Sequence, residues 1–403
     1  MVANYANNVE FNRLQRSALI VGIVALVIGA AIGVVFGVMP VLFRSYLVGY
    51  VFWVGMTLGC LAILLLQHLI SGSWGLVIRR LLEAGSRTLL PMAVLFVPIV
   101  LGMHDLYIWT HHDLPAENHA LIHAVHAKEP YLNIPFFVIR TGIYFLIWFA
   151  LAYFLNKWSL EQDRTGAARW SDKMNKLSGP GMVIFILAVT FASVDWVMSL
   201  NPEWFSTIFG LLVLIGWALS ALAFIIATVV ILSKYEPLSR VIKPAHLHDL
   251  GKLMLAFVMV WAYFSFSQFL IIWSGNLPEE TPWYLRRMQG TWGFIGLALV
   301  VLHFALPFLL LLSRDLKRNA RTIGIVAVGI LVMRLVDAVW LIAPSFHYTE
   351  EHFSPVANVL YLVIPVGLGG LWVALFAWQL KKRPLVPFND PKFEKAIEQG
   401  HHH

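Results

Sequence analysis

Ten apolar runs, separated by short polar segments, dominate the chain. A run of about 18 or more apolar residues is long enough to cross the hydrocarbon core of a bilayer as an α-helix. The predicted spans, numbered 1 to 10, are Ser17 to Met39, Ser45 to Ile70, Thr88 to Leu106, Asn133 to Leu155, Pro180 to Leu200, Ser206 to Leu232, Leu250 to Ile272, Thr291 to Leu312, Arg321 to Leu341 and Val356 to Leu380. The pattern predicts an all-α polytopic membrane protein with both termini on one side, because the number of spans is even.

The composition agrees with this prediction and excludes a water-soluble domain. Of the 403 residues, 59% are hydrophobic and 13% are charged, and the mean hydropathy is +0.74. The first apolar run has no small-residue cleavage pattern, so it is expected to remain as span 1. The net charge of +7 is interpreted as membrane topology, and no nucleic-acid partner is expected.

The distribution of basic residues predicts the orientation. Of the 29 lysines and arginines, 23 lie in the N-terminus, the even-to-odd loops and the C-terminus, whereas 4 lie in the opposite loops and 2 within spans. The six residues outside the larger group are Arg44, Lys128, Arg286 and Arg287 in loops, and Arg140 and Arg334 within spans. Because basic residues concentrate in cytoplasmic segments, both termini are expected to be cytoplasmic.

The single cysteine limits the chemistry of this chain. Cys60 lies within an apolar run. One thiol cannot form an internal disulfide, a haem-attaching Cys-x-x-Cys-His motif or a four-thiolate iron–sulfur cluster. No cofactor is therefore predicted in this chain, and any redox centres are expected in partner subunits.

An aspartate-centred pattern occurs twice. The segment 194–202 matches the segment 336–344 at a separation of 142 residues, and the segment 106–117 resembles 270–280. Spans 2–5 and 6–9 are therefore predicted to form two parallel four-helix bundles, flanked by spans 1 and 10. The corresponding regions are an N-terminal segment (1–16), span 1 (17–44), the first bundle (45–205), the second bundle (206–344), span 10 (345–380) and a C-terminal tail (381–403).

Each repeat places an aspartate near the end of an apolar span. An uncompensated charge at membrane depth costs about 2.5 kcal/mol or more. Asp195 and Asp337 are therefore each expected to have a compensating partner or a function. Arg334 lies three residues before Asp337 and is expected to pair with it. Ala192 occupies the equivalent place before Asp195, so the candidate partner is Arg140 on span 4. The alternatives are a structural ion pair in each bundle and a proton-carrying carboxylate in at least one.

Further polar residues complete the proton-path candidates. The outer half is predicted to contain His104, Asp105, Arg140, Asp195, Gln268 and Asp337, whereas His303 lies near the middle and His68 near the cytoplasm. Both of these last histidines can titrate near neutral pH, although a packing role is the simpler interpretation of each. Their different depths argue against a shared haem b. No catalytic, cofactor-binding or metal-binding residue is predicted.

Segments outside the apolar runs carry three further expectations. His119, His123 and His126 are expected to share one face of a short outer helix, which favours partner docking, with metal binding as the alternative. Glu83 is interpreted as a surface salt-bridge partner of Arg79 and Arg80 at the headgroup level. The segment from residue 381 onward is interpreted as a surface tail.

Glycines at four-residue spacing mark predicted packing faces. Gly29, Gly33 and Gly37 follow one another on span 1, and Gly55 and Gly59 on span 2. Small residues at this spacing let helix backbones approach closely in membranes. Spans 1 and 2 are therefore expected to pack tightly against other helices.

The segment from Gly55 to Ala84, with the pattern GxxxGxxAxLLLQHLxxGxWGLVxRRxLEA, is followed by Thr88-Leu89-Leu90-Pro91-Met92. It resembles the ActF-type membrane subunits of bacterial alternative complex III, which are related to the NrfD-like membrane subunits of polysulfide-reductase-type enzymes. The resemblance covers nearly the whole chain, including ten spans and a repeated bundle. It implies membership of a quinol-oxidising complex of the bacterial inner membrane, in which iron–sulfur and multihaem cytochrome c subunits pass electrons to a cytochrome c or a terminal oxidase.

The resemblance also implies a division of roles. An NrfD-like paralogue is usually assigned the quinol pocket, whereas this subunit is thought to support assembly, contact lipids and contribute polar routes for protons. No quinol ligand is carried over to a residue here. Three rival functions stay open: quinol binding by this chain itself near the outer ends of spans 3, 5 and 7, secondary transport, and a pure scaffold. Parallel repeats without interrupted helices argue against transport, and a scaffold predicts dry, fully paired polar residues.

Overall fold

The computed structural model describes residues 8–111, 113–114, 118–346 and 355–393. Ten helices in these ranges are long and apolar enough to cross a membrane, and all regular structure there is helical. The predicted all-α polytopic membrane fold is therefore confirmed.

Six spans are continuous α-helices and four are composite, so the expectation of helices without interruptions is wrong. The continuous ones are span 1 (Asn8–Val35), span 2 (Met39–Ile70), span 4 (Ile134–Thr165), span 6 (Phe209–Leu232), span 7 (Pro244–Gly275) and span 10 (Pro355–Leu380). Span 3 consists of Ser73–Ser86, Leu89–Val94, Val97–Leu101 and Met103–Leu106. Span 5 consists of Arg169–Trp196 and the 3-10 turn Met198–Leu200, and span 9 of Ala320–Ile342 and the 3-10 turn Ala343–Ser345. Span 8 consists of the α-helix Gly290–Ala298, the π-helix Leu299–Ala305 and the α-helix Leu306–Leu312. The connecting helices are Ile108–Thr110, His119–Lys128, Leu238–Val241, Thr281–Met288 and Arg314–Arg318.

The two ends of the chain meet at one face of the bundle. Lys381, just after span 10, donates from its ammonium to Asn12 Oδ1 at 2.6 Å and to the side chain of Gln15. We call this side the terminal face and the other side the opposite face. Even-numbered spans end at the terminal face, and odd-numbered spans from 3 onward end at the opposite face.

Span 2 forms the centre of the protein. It contacts spans 3, 5, 6 and 10, and nearly all of its residues are buried. A Cβ at Gly59 would lie 2.2 Å from the backbone oxygen of Trp217 on span 6, and one at Gly55 would overlap the Trp217 ring. The predicted packing role of these two glycines is confirmed, because span 2 approaches span 6 more closely than a side chain would allow.

The glycines of span 1 serve two purposes. A Cβ at Gly29 would lie 2.3 Å from Ile364 of span 10, and spans 1 and 10 pack together as a pair. Gly37 differs from the prediction: it has a φ of +66° and no atom within 4 Å of a built Cβ. It therefore lets the backbone turn between spans 1 and 2, a conformation that glycine adopts without strain.

The other spans pack as two groups that share a core. Span 5 contacts spans 2 and 4, and span 2 contacts span 3; span 6 contacts spans 7 and 9, and span 8 contacts spans 7 and 9. The groups meet where span 6 packs on spans 2 and 5. One continuous set of buried apolar residues therefore extends through both bundles.

Two expectations about the terminal face are wrong. Glu83 and its neighbours Arg79 and Arg80 are buried within span 3, which begins at Ser73 rather than Thr88. Glu83 does pair with Arg79 and Arg80, but further partners on span 4 and on the C-terminal segment enclose the three charges, so the pairs are buried rather than exposed at the surface. The C-terminal segment is not a surface tail up to residue 393. It packs five buried side chains against the bundle, namely Leu385, Val386, Pro387, Asp390 and Phe393.

Candidate functional site

The intramembrane aspartate of the first bundle is fully paired. Arg140 donates from Nε and Nη2 to the two carboxylate oxygens of Asp195, both at 2.9 Å. Tyr144, one turn further along span 4, donates to Oδ2 at 2.8 Å. Asp195 has no exposed surface. The candidate partner Arg140 thus reaches Asp195, and a bidentate, charge-assisted pair occupies both carboxylate oxygens.

The second bundle builds its pair within one helix. Arg334 donates from Nη1 to Asp337, as their spacing predicts, and from Nε to Ser220 Oγ on span 6 at 3.3 Å. A Cβ at Gly216 would lie 2.1 Å from Arg334 Nη2. Glycine at this position of span 6 therefore provides the space that the guanidinium occupies.

A large cavity adjoins the second pair. It has a volume of about 750 Å³ and lies among spans 7, 8 and 9 and the helix Thr281–Met288, and Asp337 contributes to its lining. Its ring-bearing walls are Trp261, Tyr263, Phe266, Phe269, Trp283, Tyr284, Phe304 and Trp340. The lining residues Leu297 and Val300 are exposed on the apolar surface of span 8, so the cavity opens where lipid would contact the bundle. Its volume lies within the range of small-molecule sites.

Uncharged polar groups stand at the edge of the cavity nearest the opposite face. Gln268 accepts a hydrogen bond from Ser206 Oγ at 2.9 Å and donates from Nε2 to the Tyr284 hydroxyl at 3.2 Å. Burial raises the pKa of Tyr284 to about 12, so its hydroxyl keeps its proton near neutral pH. Because that oxygen accepts the bond from Gln268, the hydroxyl hydrogen can be donated to a ligand.

Arg287 contributes structure to this cavity rather than a free charge. Its guanidinium donates to the backbone oxygens of Trp283, Trp340 and Leu341 and to Ser345 Oγ, at distances of 2.7 to 3.2 Å. Burial lowers its pKa well below the usual arginine value. By binding carbonyl groups at the end of span 9, Arg287 joins the helix Thr281–Met288 to that span and closes one wall.

His303 lies in an irregular part of span 8. It belongs to the π-helix Leu299–Ala305, whose neighbouring residues Leu299, Val300 and Phe304 line the cavity. Pro307, four residues later, lacks the N–H that would bond to the His303 carbonyl in an α-helix, which accounts for the irregular turn. The buried imidazole packs edge-on to Trp261 at 4.0 Å between ring centroids. Among the described residues, neither of its ring nitrogens has a hydrogen-bond partner.

The other predicted site residues lie apart from the second pair. His104 and Asp105 are exposed near the opposite face, where the His104 ring stacks on His111. His68 is buried at the terminal face. The structure thus separates the predicted proton-path residues into local groups: it joins Arg140 with Asp195 and Arg334 with Asp337.

Three residues with side-chain contacts at these sites were not among the predicted site residues. Tyr284 and Arg287 lie on a short connecting helix, where the topology prediction treats arginines only as loop charges. Amphipathic spacing on that helix could have indicated that it packs against the spans. Tyr144, four residues after Arg140, shares its helix face and was therefore detectable from spacing.

The short helix His119–Lys128 has the predicted form. His119, His123 and His126 are exposed along it, whereas Leu121 and Val125 are buried beneath. Among the described residues, no group of three or more metal-ligating side chains comes together.

Comparison with known proteins adds no family assignment. No protein-family model matches the chain, and no curated protein matches it significantly.

Proposed function

We propose that this chain is an integral membrane subunit of a quinol-oxidising electron-transfer complex of the alternative complex III type, and that its second bundle binds the quinol ring. The cavity beside Asp337 is the observation that carries the proposal. The motif from Gly55 to Ala84, which runs from span 2 into span 3, also supports the proposal, because it resembles subunits of such complexes.

The lining of the cavity favours a flat, neutral and lipid-soluble ligand. Tryptophan, tyrosine and phenylalanine rings form its walls, and such rings pack well against a planar ring. The Arg287 guanidinium donates hydrogen bonds to protein oxygens, and Asp337 forms an ion pair with Arg334. Both charged groups at the cavity are thus already bound to protein groups, which disfavours a phosphate or ammonium headgroup as the ligand. A quinol ring with an isoprenoid chain has the required shape and neutrality.

Three side chains have the chemistry to receive the ring oxygens. Tyr284 can donate its hydroxyl hydrogen, Gln268 offers an amide, and Asp337 is the carboxylate that borders the cavity. Oxidation of a quinol to a quinone releases two protons and two electrons. In this proposal Asp337 accepts one of the two protons, the second is released to water at the opposite face, and both electrons pass to iron–sulfur and haem c centres of partner subunits. The first bundle, whose Asp195 is enclosed by Arg140 and Tyr144, supports the assembly.

A bulky residue at Gly296 is expected to block the cavity. A Cβ there would lie 3.4 Å from the indole nitrogen of Trp340, so a Gly296→Phe side chain must take up space beside that ring. The dissociation constants of a decyl benzoquinone and a short-chain naphthoquinone are measured by quenching of tryptophan fluorescence in the purified protein. We expect the variant to weaken binding at least about tenfold, which corresponds to about 1.4 kcal/mol.

The matched control for this test is Gly329→Phe on span 9. Gly329 is exposed, and a Cβ there meets no atom within 4 Å, so quinone affinity should stay at the parental value. Equal affinity in the parent and in Gly296→Phe, or quenching that never saturates in the parent, would contradict the proposed site.

The proton role of Asp337 predicts a separate effect on turnover. In the complex purified from native membranes, Asp337→Asn is expected to lower the rate of quinol oxidation about tenfold, because an amide cannot accept the proton. Asp337→Glu keeps a carboxylate and should retain more activity than the asparagine variant. Rates are compared at equal amounts of assembled complex. If the asparagine variant turns over at the parental rate, Asp337 is not the acceptor.

A further inference from the structure

A small polar cavity lies at the terminal face, far from the quinol site. It has a volume of about 20 Å³, enough for one water molecule, and Gln67, His68, Arg79 and Asp390 are among its lining residues. Gln67 Oε1 and His68 Nε2 are buried and have no hydrogen-bond partner in the described part of the chain. Buried polar atoms of this kind are normally satisfied by protein or ordered water.

The C-terminal segment covers this cavity. We call residues 383–393 the strap. Asp390 accepts a hydrogen bond from Arg79 Nη1 at 2.6 Å, Arg383 donates to Glu83 Oε2 at 3.1 Å, and Asn389 donates to the backbone oxygen of Asp163 at 2.5 Å. Asp390 and Lys392 of the strap line the cavity directly. The strap therefore separates His68 from the aqueous side of the terminal face.

The ion pairs of this region divide into two sets. On the bundle, Arg79 and Arg80 face Glu83 and Asp163. On the strap, Arg383 and Asp390 are the residues that pair with the bundle, and Lys392 adds a further positive charge. A buried charge is costly mainly when it is left without a partner. Lifting the strap leaves both arginines of the bundle with carboxylate partners, so the bundle can keep its structure when the strap is released.

Arg79 illustrates this independence. Besides Asp390, it donates to Glu83 at 3.2 Å, to Ser159 Oγ at 2.9 Å and to Gln162 Oε1 at 2.8 Å. Three of its four partners therefore belong to spans 3 and 4. The contact with Asp390 can open without leaving the guanidinium unsatisfied.

We propose that the strap is a gate over a water-binding cavity, and that its release admits water from the terminal face to His68. His68, near the end of span 2, then becomes a titratable group that protons from this side can reach. This gate needs no quinol, so it stands whether or not the second bundle binds one.

Cysteine labelling tests the gate in the full-length protein. Gln67→Cys places a thiol in the cavity wall, and the native Cys60 is buried. A small charged methanethiosulfonate is added to membrane vesicles of both orientations, and the labelling rate is measured. Combining Gln67→Cys with Asp390→Arg, which sets a positive charge against Arg79, is expected to raise the rate about tenfold in vesicles with the terminal face outward. Asp390→Ala should act in the same direction with a smaller increase.

Asp172→Arg is the matched control, because it makes the same charge change on an exposed residue at the start of span 5. It should leave the labelling rate unchanged. If Gln67→Cys does not accumulate, Ser171→Cys reports on the same cavity from span 5. Labelling that is equally fast with Asp390 and with Asp390→Arg would overturn the proposal, as would a faster rate only in vesicles of the other orientation.

Discussion

Replacing Glu83 by glutamine is expected to lower the free energy of unfolding by about 3–5 kcal/mol, the effect of removing one partner from a buried ion pair. The Glu83 carboxylate is fully buried. It accepts from Arg80 Nη1 at 2.7 Å, from Arg79 Nε at 3.2 Å, from Arg383 Nη1 at 3.1 Å and from Ser159 Oγ at 2.5 Å. Glutamine has nearly the same size but no charge, so three guanidinium groups would lose a common counter-ion. Denaturant unfolding of the purified protein in detergent micelles measures the change.

Glu161→Gln is the control for this substitution. Glu161 pairs with Arg164 at 3.3 Å on the same span, but both side chains are substantially exposed. Surface pairs contribute about 0–1 kcal/mol, so this variant should unfold close to the parent. If Glu83→Gln and Glu161→Gln have the same small effect, the buried network does not hold the terminal face together.

Hydropathy was sufficient to predict the number of spans, because each apolar run exceeds the length needed to cross a bilayer. It failed at Glu83 for a physical reason. A carboxylate three and four residues after two arginines has the spacing of a solvated helix pair, and spacing alone does not reveal burial. The further carboxylates that compensate the buried charges of Arg79 and Arg80 are Asp390 and Asp163. They lie 307 and 80 residues after Glu83 in the chain.

The candidate site was predictable only in part. Arg334 and Asp337 share a helix, so their pairing follows from a three-residue spacing. The cavity depends instead on how spans 7, 8 and 9 diverge around the helix Thr281–Met288. Tyr284 acquires its polar role only through contact with Gln268 on another helix. Such an arrangement is a property of packing between segments and leaves no local periodicity.

The two repeated segments pair their buried aspartates in different ways. In the first, the arginine comes from a neighbouring span and Tyr144 completes the enclosure of the carboxylate. In the second, the arginine comes from the same helix, and the carboxylate borders a cavity. The first arrangement maximises pairing, whereas the second leaves an acid next to space for a ligand. This difference is why we assign stability to Asp195 and proton chemistry to Asp337.

Asp195→Asn is accordingly expected to destabilise the protein by about 3–5 kcal/mol, because Arg140 would remain buried without a counter-charge. The Arg140 side chain is only 8% exposed, and both carboxylate oxygens of Asp195 serve it. Unfolding of the purified variant in detergent micelles measures the loss. Thr190→Val on the same span is the control, because it replaces one uncharged side chain by another. The Thr190 hydroxyl donates to the backbone oxygen of Ile186 in its own helix, so its loss should destabilise the protein much less than Asp195→Asn.

Removing the whole polar group separates a structural role of Asp195 from a proton-carrying one. The triple variant Arg140→Met, Tyr144→Phe and Asp195→Leu leaves no buried charge behind, and replacing buried ion pairs by apolar residues is often neutral or stabilising. We therefore expect it to recover most of the stability that Asp195→Asn loses. Its proton release per quinol, measured in reconstituted complex, should equal that of the parent. A stable triple variant that oxidises quinol but releases fewer protons would instead place this polar group on the proton route, because Asp195 and Tyr144 are the proton-exchanging side chains that the variant lacks.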